Sequence, residues 1–234
     1  MKSKTKVEPV YEVVAEEGGF VLQRNGRYLM TPAGKPFRLR TAALAEAIAA
    51  EWRAQGEKIV PASMPLTQFA ATAFDLIAKD RSKTIEGLLG YTDSELLCLR
   101  AESPESLAAK QAAAWQPYID WCAKRYGVVF LSGCGVMPIR QKPEVREGLR
   151  GVIEALDTFA LTGLSCAADA AGSLLLGLAL AEGEGSVAAI LAASELDVNH
   201  QAIMWGEDPV TQARQAAVAN DLAACERWFA LLKG

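Results

Sequence analysis

His200 is the only histidine in this 234-residue chain, so a Ser-His or Cys-His nucleophilic dyad would have to be built on it. No nucleophile elbow stands near it, and a surface or packing place on the helix before Trp205 is the stronger reading. The five cysteines, Cys98, Cys122, Cys134, Cys166 and Cys225, lack the close spacing of zinc ligands, and one histidine cannot complete the usual sets. Odd in number and mostly in apolar surroundings, they read as reduced packing residues. Carboxylates pair in sequence as Glu95 with Glu102, Glu182 with Glu184, and Glu207 with Asp208. Acid-base work needs a set separation inside a cleft, and solvated positions are the simpler account. Gly133 and Gly135 are followed by Met137-Pro138 rather than by a third glycine and a helix, and no phosphate-binding P-loop occurs. No catalytic residue, cofactor site or metal ligand is therefore assigned.

The same residues suit recognition better. Asp197, Gln201 and Trp205 recur four residues apart, which puts them on one face of a helix. Glu207 follows at a helix junction, where an indole and fixed carboxylates can meet a basic partner surface. A helix cap beside a packing indole explains the local pattern equally well. A second aromatic group lies between Asp93 and Trp121, where Arg100 precedes a helix carrying Trp115 and Trp121. Six residues apart, these indoles point about 120° apart on an ideal helix, so one narrow core stripe cannot hold both. They suit either an inter-domain core or a partner surface.

These residues need a scaffold that changes character near residue 60. Before it, the β-prone runs 11–15, 19–23, 28–31 and 37–39 are separated by turns, among them Asn25-Gly26, a strong hairpin signal. Thr41 then caps a helix carrying Leu44, Ala45, Ile48 and Trp52, ended by Gly56, with Trp52 anchoring it to the strands. From Pro61 onward helices dominate. Residues 66–79 form an amphipathic helix with an Asp75–Lys79 pair, and 95–101 read as a strand. Ser103 caps a helix with Pro104 in its first position, kinked or broken at Pro117 and closed by Gly127. Residues 128–131 suggest one more strand, followed by a turn at 133–138. Four helical stretches follow, over 143–159, 162–181, 186–205 and 209–232, with Asp208 capping the last. The fold class is thus α+β: a small N-terminal β-meander and helix domain, residues 1–61, followed by a mainly helical bundle domain, residues 62–234.

Composition bounds the partners. Hydrophobic residues make up 51% of the chain, and a net charge of -4 without a basic cluster argues against nucleic acid. Residues 161–181 are long enough to span a bilayer, but Asp169 at the centre would cost about 2.5–3.5 kcal/mol, so membrane insertion is not expected. Asp169 then needs a partner or an exposed position. The first fourteen residues carry lysines without an apolar run or a presequence pattern, which points to a bacterial cytoplasm, or to a mitochondrial matrix for a matured eukaryotic chain.

The chain resembles the ATP12 family, assembly chaperones of the F1 sector of ATP synthase. The resemblance rests on Gly26-Arg27, Thr31 to Gly34, Leu44 to Trp52, Gln55 and Met64 to Thr67. It continues through Asp93, Leu97-Cys98, Arg100-Ala101, Pro104, Leu107, Gln111, Trp115, Pro117 and Trp121, and ends at Gln201, Trp205 and Gly206. Leu99 departs from it, since relatives often carry an aromatic there, and the residues after Gly206 vary. The resemblance implies two domains, no catalysis, and binding of the unassembled F1 α subunit at the surface its β partner later occupies. The chain is then expected to be monomeric when free. Its expected client-facing set is Asp197, Gln201, Trp205 and Glu207, with Arg100, Trp115 and Trp121 as further contacts. A small-molecule enzyme with a carboxylate site between the domains, or a permanent helical adaptor, are the alternatives.

Overall fold

The computed structural model describes residues 9–135, 137 and 139–234. The presequence reading of the first residues falls largely outside them, as does Pro138. The α+β class holds: a small antiparallel sheet comes first and helices follow. The chain divides into two compact units, residues 1–79 with 230–234, and residues 80–229. The expected division after residue 61 differs from this by one helix.

That helix explains the difference. In the first unit, β1 (Tyr11–Glu16) pairs along its length with β2 (Gly19–Arg24), which also pairs with β3 (Arg27–Tyr28) and β4 (Arg38–Leu39). Asn25 and Gly26 both take positive φ, 51° and 73°, as the tight β2–β3 hairpin requires. Helix α1 (Ala42–Arg53) is capped by the Thr41 hydroxyl, which accepts the Leu44 N–H, and buries Leu44, Ala45 and Ile48 against β1 and β2. It ends with αR geometry at Ala54, two residues before Gly56. Trp52 packs its indole on the Tyr11 ring at 5.8 Å.

Glu51 ties α2 (Pro65–Thr72) to this unit, its buried carboxylate accepting from the Leu66 and Thr67 amides at 2.9 and 2.8 Å. Both orphan donors at the start of α2 are thereby satisfied from α1, so α2 belongs with the sheet and not with the helices beyond. A π-turn over Ala73–Ile77 extends α2. Asp75 does not pair with Lys79 as expected; it accepts instead from the Thr31 hydroxyl and the Ala33 amide.

The second unit is helical and its caps divide it more finely than the sequence suggested. It begins with α3 (Arg81–Gly90), capped by Asp80, a helix the sequence reading did not anticipate. Instead of a strand over 95–101, a 3-10 turn at Leu96–Cys98 leads into the two-residue β5 (Leu99–Arg100). β5 pairs in parallel with β6 (Gly133–Cys134), where a turn had been expected. Residues 128–131 show strand-like alternation, with Val128 and Phe130 buried and Val129 and Leu131 exposed, but no backbone among the described residues completes a ladder there.

Helix α4 (Glu105–Tyr126) has Pro104, extended at φ -71° and ψ 155°, as its cap, so Ser103 does not serve. It passes Pro117 without a break, because Trp115 and Ile119 are buried on either side and hold it. Gly127 closes it in the left-handed conformation, as expected. Six helices then replace the four expected stretches: α5 (Pro143–Glu154), α6 (Thr158–Ala171), α7 (Leu174–Glu182), α8 (Val187–Ser194), α9 (Leu196–Trp205) and α10 (Pro209–Leu232).

The two extra boundaries fall at Gly172 and Ser173, between α6 and α7, and at Glu195, between α8 and α9, while the break expected at 160–161 moves to Asp157, which accepts from the Phe159 and Ala160 amides. Gly163 sits inside α6, where a Cβ would lie 2.7 Å from the Trp228 and Phe229 rings of α10. The bilayer-length run is therefore two packed helices, and no described helix is long and apolar enough to cross a membrane. Asp169 is exposed and accepts the Tyr91 hydroxyl at 2.8 Å.

Candidate functional site

Helix α9 buries none of its ten residues. Its apolar end instead faces solvent: Ile203 is 74% exposed, Met204 63% and Trp205 80%, with Val210 at 76% on the first turn of α10. Four large apolar side chains within eight residues form a local exposed cluster at a helix junction. Gly206, at φ 93°, ends α9, and Asp208 starts α10 by accepting the Thr211 amide and hydroxyl, as the sequence predicts.

Polar contacts, not a core, hold α9. Glu195, 5% exposed at the α8–α9 corner, receives Arg214 of α10 through both guanidinium nitrogens and Gln215 as well. Gln215 also donates to Asn199 at 2.8 Å. From α4, Gln111 donates to Asp197 Oδ1 at 2.7 Å while its own oxygen accepts the Ala101 amide. Removing the apolar driving force from α9 leaves these bonds to fix its position.

The sequence-predicted residues separate into three groups. Gln201, Trp205 and Glu207 are exposed, and Asp197 is half-buried at the foot of the same helix. Glu207 accepts from Gln212. Trp115 is 1% exposed and donates its indole N–H to the Ala193 carbonyl at 2.9 Å, so it is a core residue of the helical unit rather than a surface contact. Arg100 and Trp121 are intermediate: Arg100 binds Gln116, and Trp121 meets the Tyr126 ring edge-on at 5.5 Å. The sequence reading missed Ile203, Met204 and Val210. Their signal was an apolar run placed where α9 ends rather than where it packs.

Chemistry finds little here. Burial pushes the thiols of Cys98, Cys122 and Cys166 up to about 12, and that of Cys225 higher, which removes reactive thiolate at neutral pH. Burial likewise pushes Glu95 up to about 7, against the donors that hold it. Both its oxygens are engaged, by the Ser173 hydroxyl and the Leu174 and Leu175 amides, so it caps α7 rather than facing a nucleophile. His200 carries a buried Nδ1 without a partner among the described residues, and no described group of His, Cys, Asp and Glu could hold a metal ion. In the first unit, an apolar cavity of ≈ 300 Å³ lies beside Trp52, Phe37 and Met64.

Comparison with known proteins finds chaperones. A family model for the ATP12 chaperone protein matches residues 4–123. Two solved structures of Atp12 from Paracoccus denitrificans, one carrying an aspartate-to-lysine substitution, match with a TM-score of 0.91 at 37% identity, over 95% of this chain and 95% of theirs. The Atu1473 protein of Agrobacterium tumefaciens, a candidate chaperone, matches with a TM-score of 0.90 at 36% identity, over 95% of this chain and 84% of that one.

Proposed function

The chain belongs to the ATP12 chaperone family, and from that premise we propose that it assists F1 assembly by binding the unassembled α subunit and covering the surface the β subunit later occupies. The family is one of chaperones and not of enzymes. The observation that supports the client site is Trp205, 80% exposed at the end of a helix that buries nothing. Fully burying a large aliphatic side chain contributes about 1.5–3 kcal/mol, so the cluster of Trp205, Ile203, Met204 and Val210 can supply several kcal/mol. Part of this offsets the entropy lost on association. Trp205 is the expected anchor, since indoles dominate such contacts, with Gln201, Asp197 and Glu207 as the polar surround.

Such binding needs no nucleotide hydrolysis. A client held through a surface its natural partner also needs is released when that partner binds it more tightly. The solved relatives are bacterial, which favours a bacterial cytoplasm over the mitochondrial matrix as the site of action.

Co-expression with isolated F1 α subunit tests the reading. The chain should keep α soluble, co-purify with it, and be absent from finished F1. Retention in finished F1 would instead identify a permanent adaptor, and failure to keep α soluble would reject both. Trp205→Ala should weaken α binding by about 2 kcal/mol or roughly thirtyfold, and Glu207→Lys should weaken it less, both with the wild-type circular dichroism spectrum. Unchanged binding by Glu207→Lys removes Glu207 from the contact set.

A further inference from the structure

Asp197, at the foot of α9, also lines a cavity of ≈ 230 Å³. Leu96, Leu99 and Ile139 provide aliphatic walls, and the acids Asp93, Glu95 and Asp197 share the lining with no lysine, arginine or histidine among the described residues. These carboxylates differ in what they offer. Glu95 is 3% exposed and its oxygens are taken by the hydroxyl and amide donors that start α7, so it closes the inner side. Asp93 stands at the mouth with its side chain 80% exposed, and its nearest cation, Arg146, is 3.8 Å away in a solvated pair of little strength. Asp197 accepts Gln111 through Oδ1, and its Oδ2 receives no hydrogen bond from the described residues.

Aliphatic walls with anionic groups and no cation complement one kind of group: an alkyl stem ending in a positive charge. Asp197 ties the cavity to α9. Eight residues separate it from Trp205, which sets the two about 12 Å apart along the helix axis.

We infer that this cavity receives a lysine or arginine side chain of the client while the client's apolar surface meets Trp205, so that α9 reads its partner at two points. The inference rests on the chaperone reading above and gives it a register. Trp205 supplies most of the affinity, and the acidic cavity supplies orientation and a dependence on ionic strength.

Asp93→Asn/Asp197→Asn removes both charges while leaving an acceptor oxygen for Gln111. The affinity of the full chain for isolated F1 α subunit, measured across a salt series, should fall about tenfold at low salt and lose most of its salt dependence. Trp205→Ala should weaken binding and keep the salt dependence. Wild-type affinity and salt dependence in the double variant would overturn the cavity assignment while leaving the chaperone reading standing. If the wild-type chain does not bind α at all, that reading fails, and a second measurement decides the cavity alone. In it, Nα-acetyl-arginine amide and Nα-acetyl-lysine amide are titrated into the chain, with the blocked glutamate as control. Chemical-shift changes should appear at the methyls of Leu96, Leu99 and Ile139, for a basic probe only, and vanish in the double variant. No change with either basic probe, or an equal change with glutamate, overturns the assignment.

Discussion

Helices α7 and α9 are nearly the same length, yet α7 buries every residue from Leu174 to Leu180 and α9 buries none. Both start beside a buried glutamate. Glu95 holds the α7 amides, whereas Glu195 binds Arg214 and Gln215 of α10. Composition separates them in part, since α7 has no polar side chain before Glu182 whereas α9 carries Asp197, Asn199, His200 and Gln201, yet α9 also ends in Ala202, Ile203, Met204 and Trp205. The neighbour differs as well. α6 lies so close to α7 that a Cβ at Gly177 would come within 2.9 Å of the Ala168 backbone, while the end of α9 projects its apolar side chains outward. One helix buries its apolar surface on folding. The other leaves it exposed.

The contrast can be broken most directly in α7. Leu176→Ala should destabilise the chain by about 2–5 kcal/mol in urea unfolding, because a fully buried side chain leaves a cavity that tight packing cannot close. A loss below about 1 kcal/mol would mean that α7 is not the packed counterpart described here.

Glu95 gives a smaller and pH-dependent effect. Burial raises its folded-state value to about 7, while the unfolded chain titrates near the ordinary 4.5. Between these values the folded state holds a proton that the unfolded state has lost. The contribution is therefore fully present below about pH 4.5 and is lost as pH rises through about 7, with a slope no steeper than about 1.4 kcal/mol per unit. Comparing the pH dependence of unfolding with that of Glu95→Gln isolates the effect. An identical slope in the variant would show that Glu95 titrates alike in the folded and the unfolded chain.

The smallest effect on stability should come from α9 itself. Ile203→Ser removes a 74%-exposed side chain and should change unfolding by no more than about 0.5 kcal/mol, while weakening α-subunit binding. A large loss of stability would show that α9 contributes to the core after all.

Much of this contrast was legible in advance. The Asn25-Gly26 hairpin, the Thr41 and Asp208 caps and the Gly127 stop are local events, decided by side chains within a few residues. The spacing of Asp197, Gln201 and Trp205 on one helix was local in the same way. Other features were hidden because their partners lie far away in sequence. Asp75 has a possible partner four residues on, but Thr31 and Ala33 claim it; Gly163 looks like a breaker, but the Trp228 and Phe229 rings need the space. Trp115 and Trp121 show both sides of the problem, since their 120° offset predicted different surroundings without saying which indole would be buried.

The sequence by itself determined the α+β class, most helix starts, the family and the placing of Asp197, Gln201 and Trp205 on one helix, because periodicity, caps and motif order are properties of neighbouring residues. Only the tertiary structure decided that α2 belongs with the sheet, that Trp115 is core, and that Ile203, Met204 and Val210 join Trp205 at the surface. Burial is set by what packs against a residue. A chain of this length offers every apolar side chain many distant neighbours, and folding selects among them.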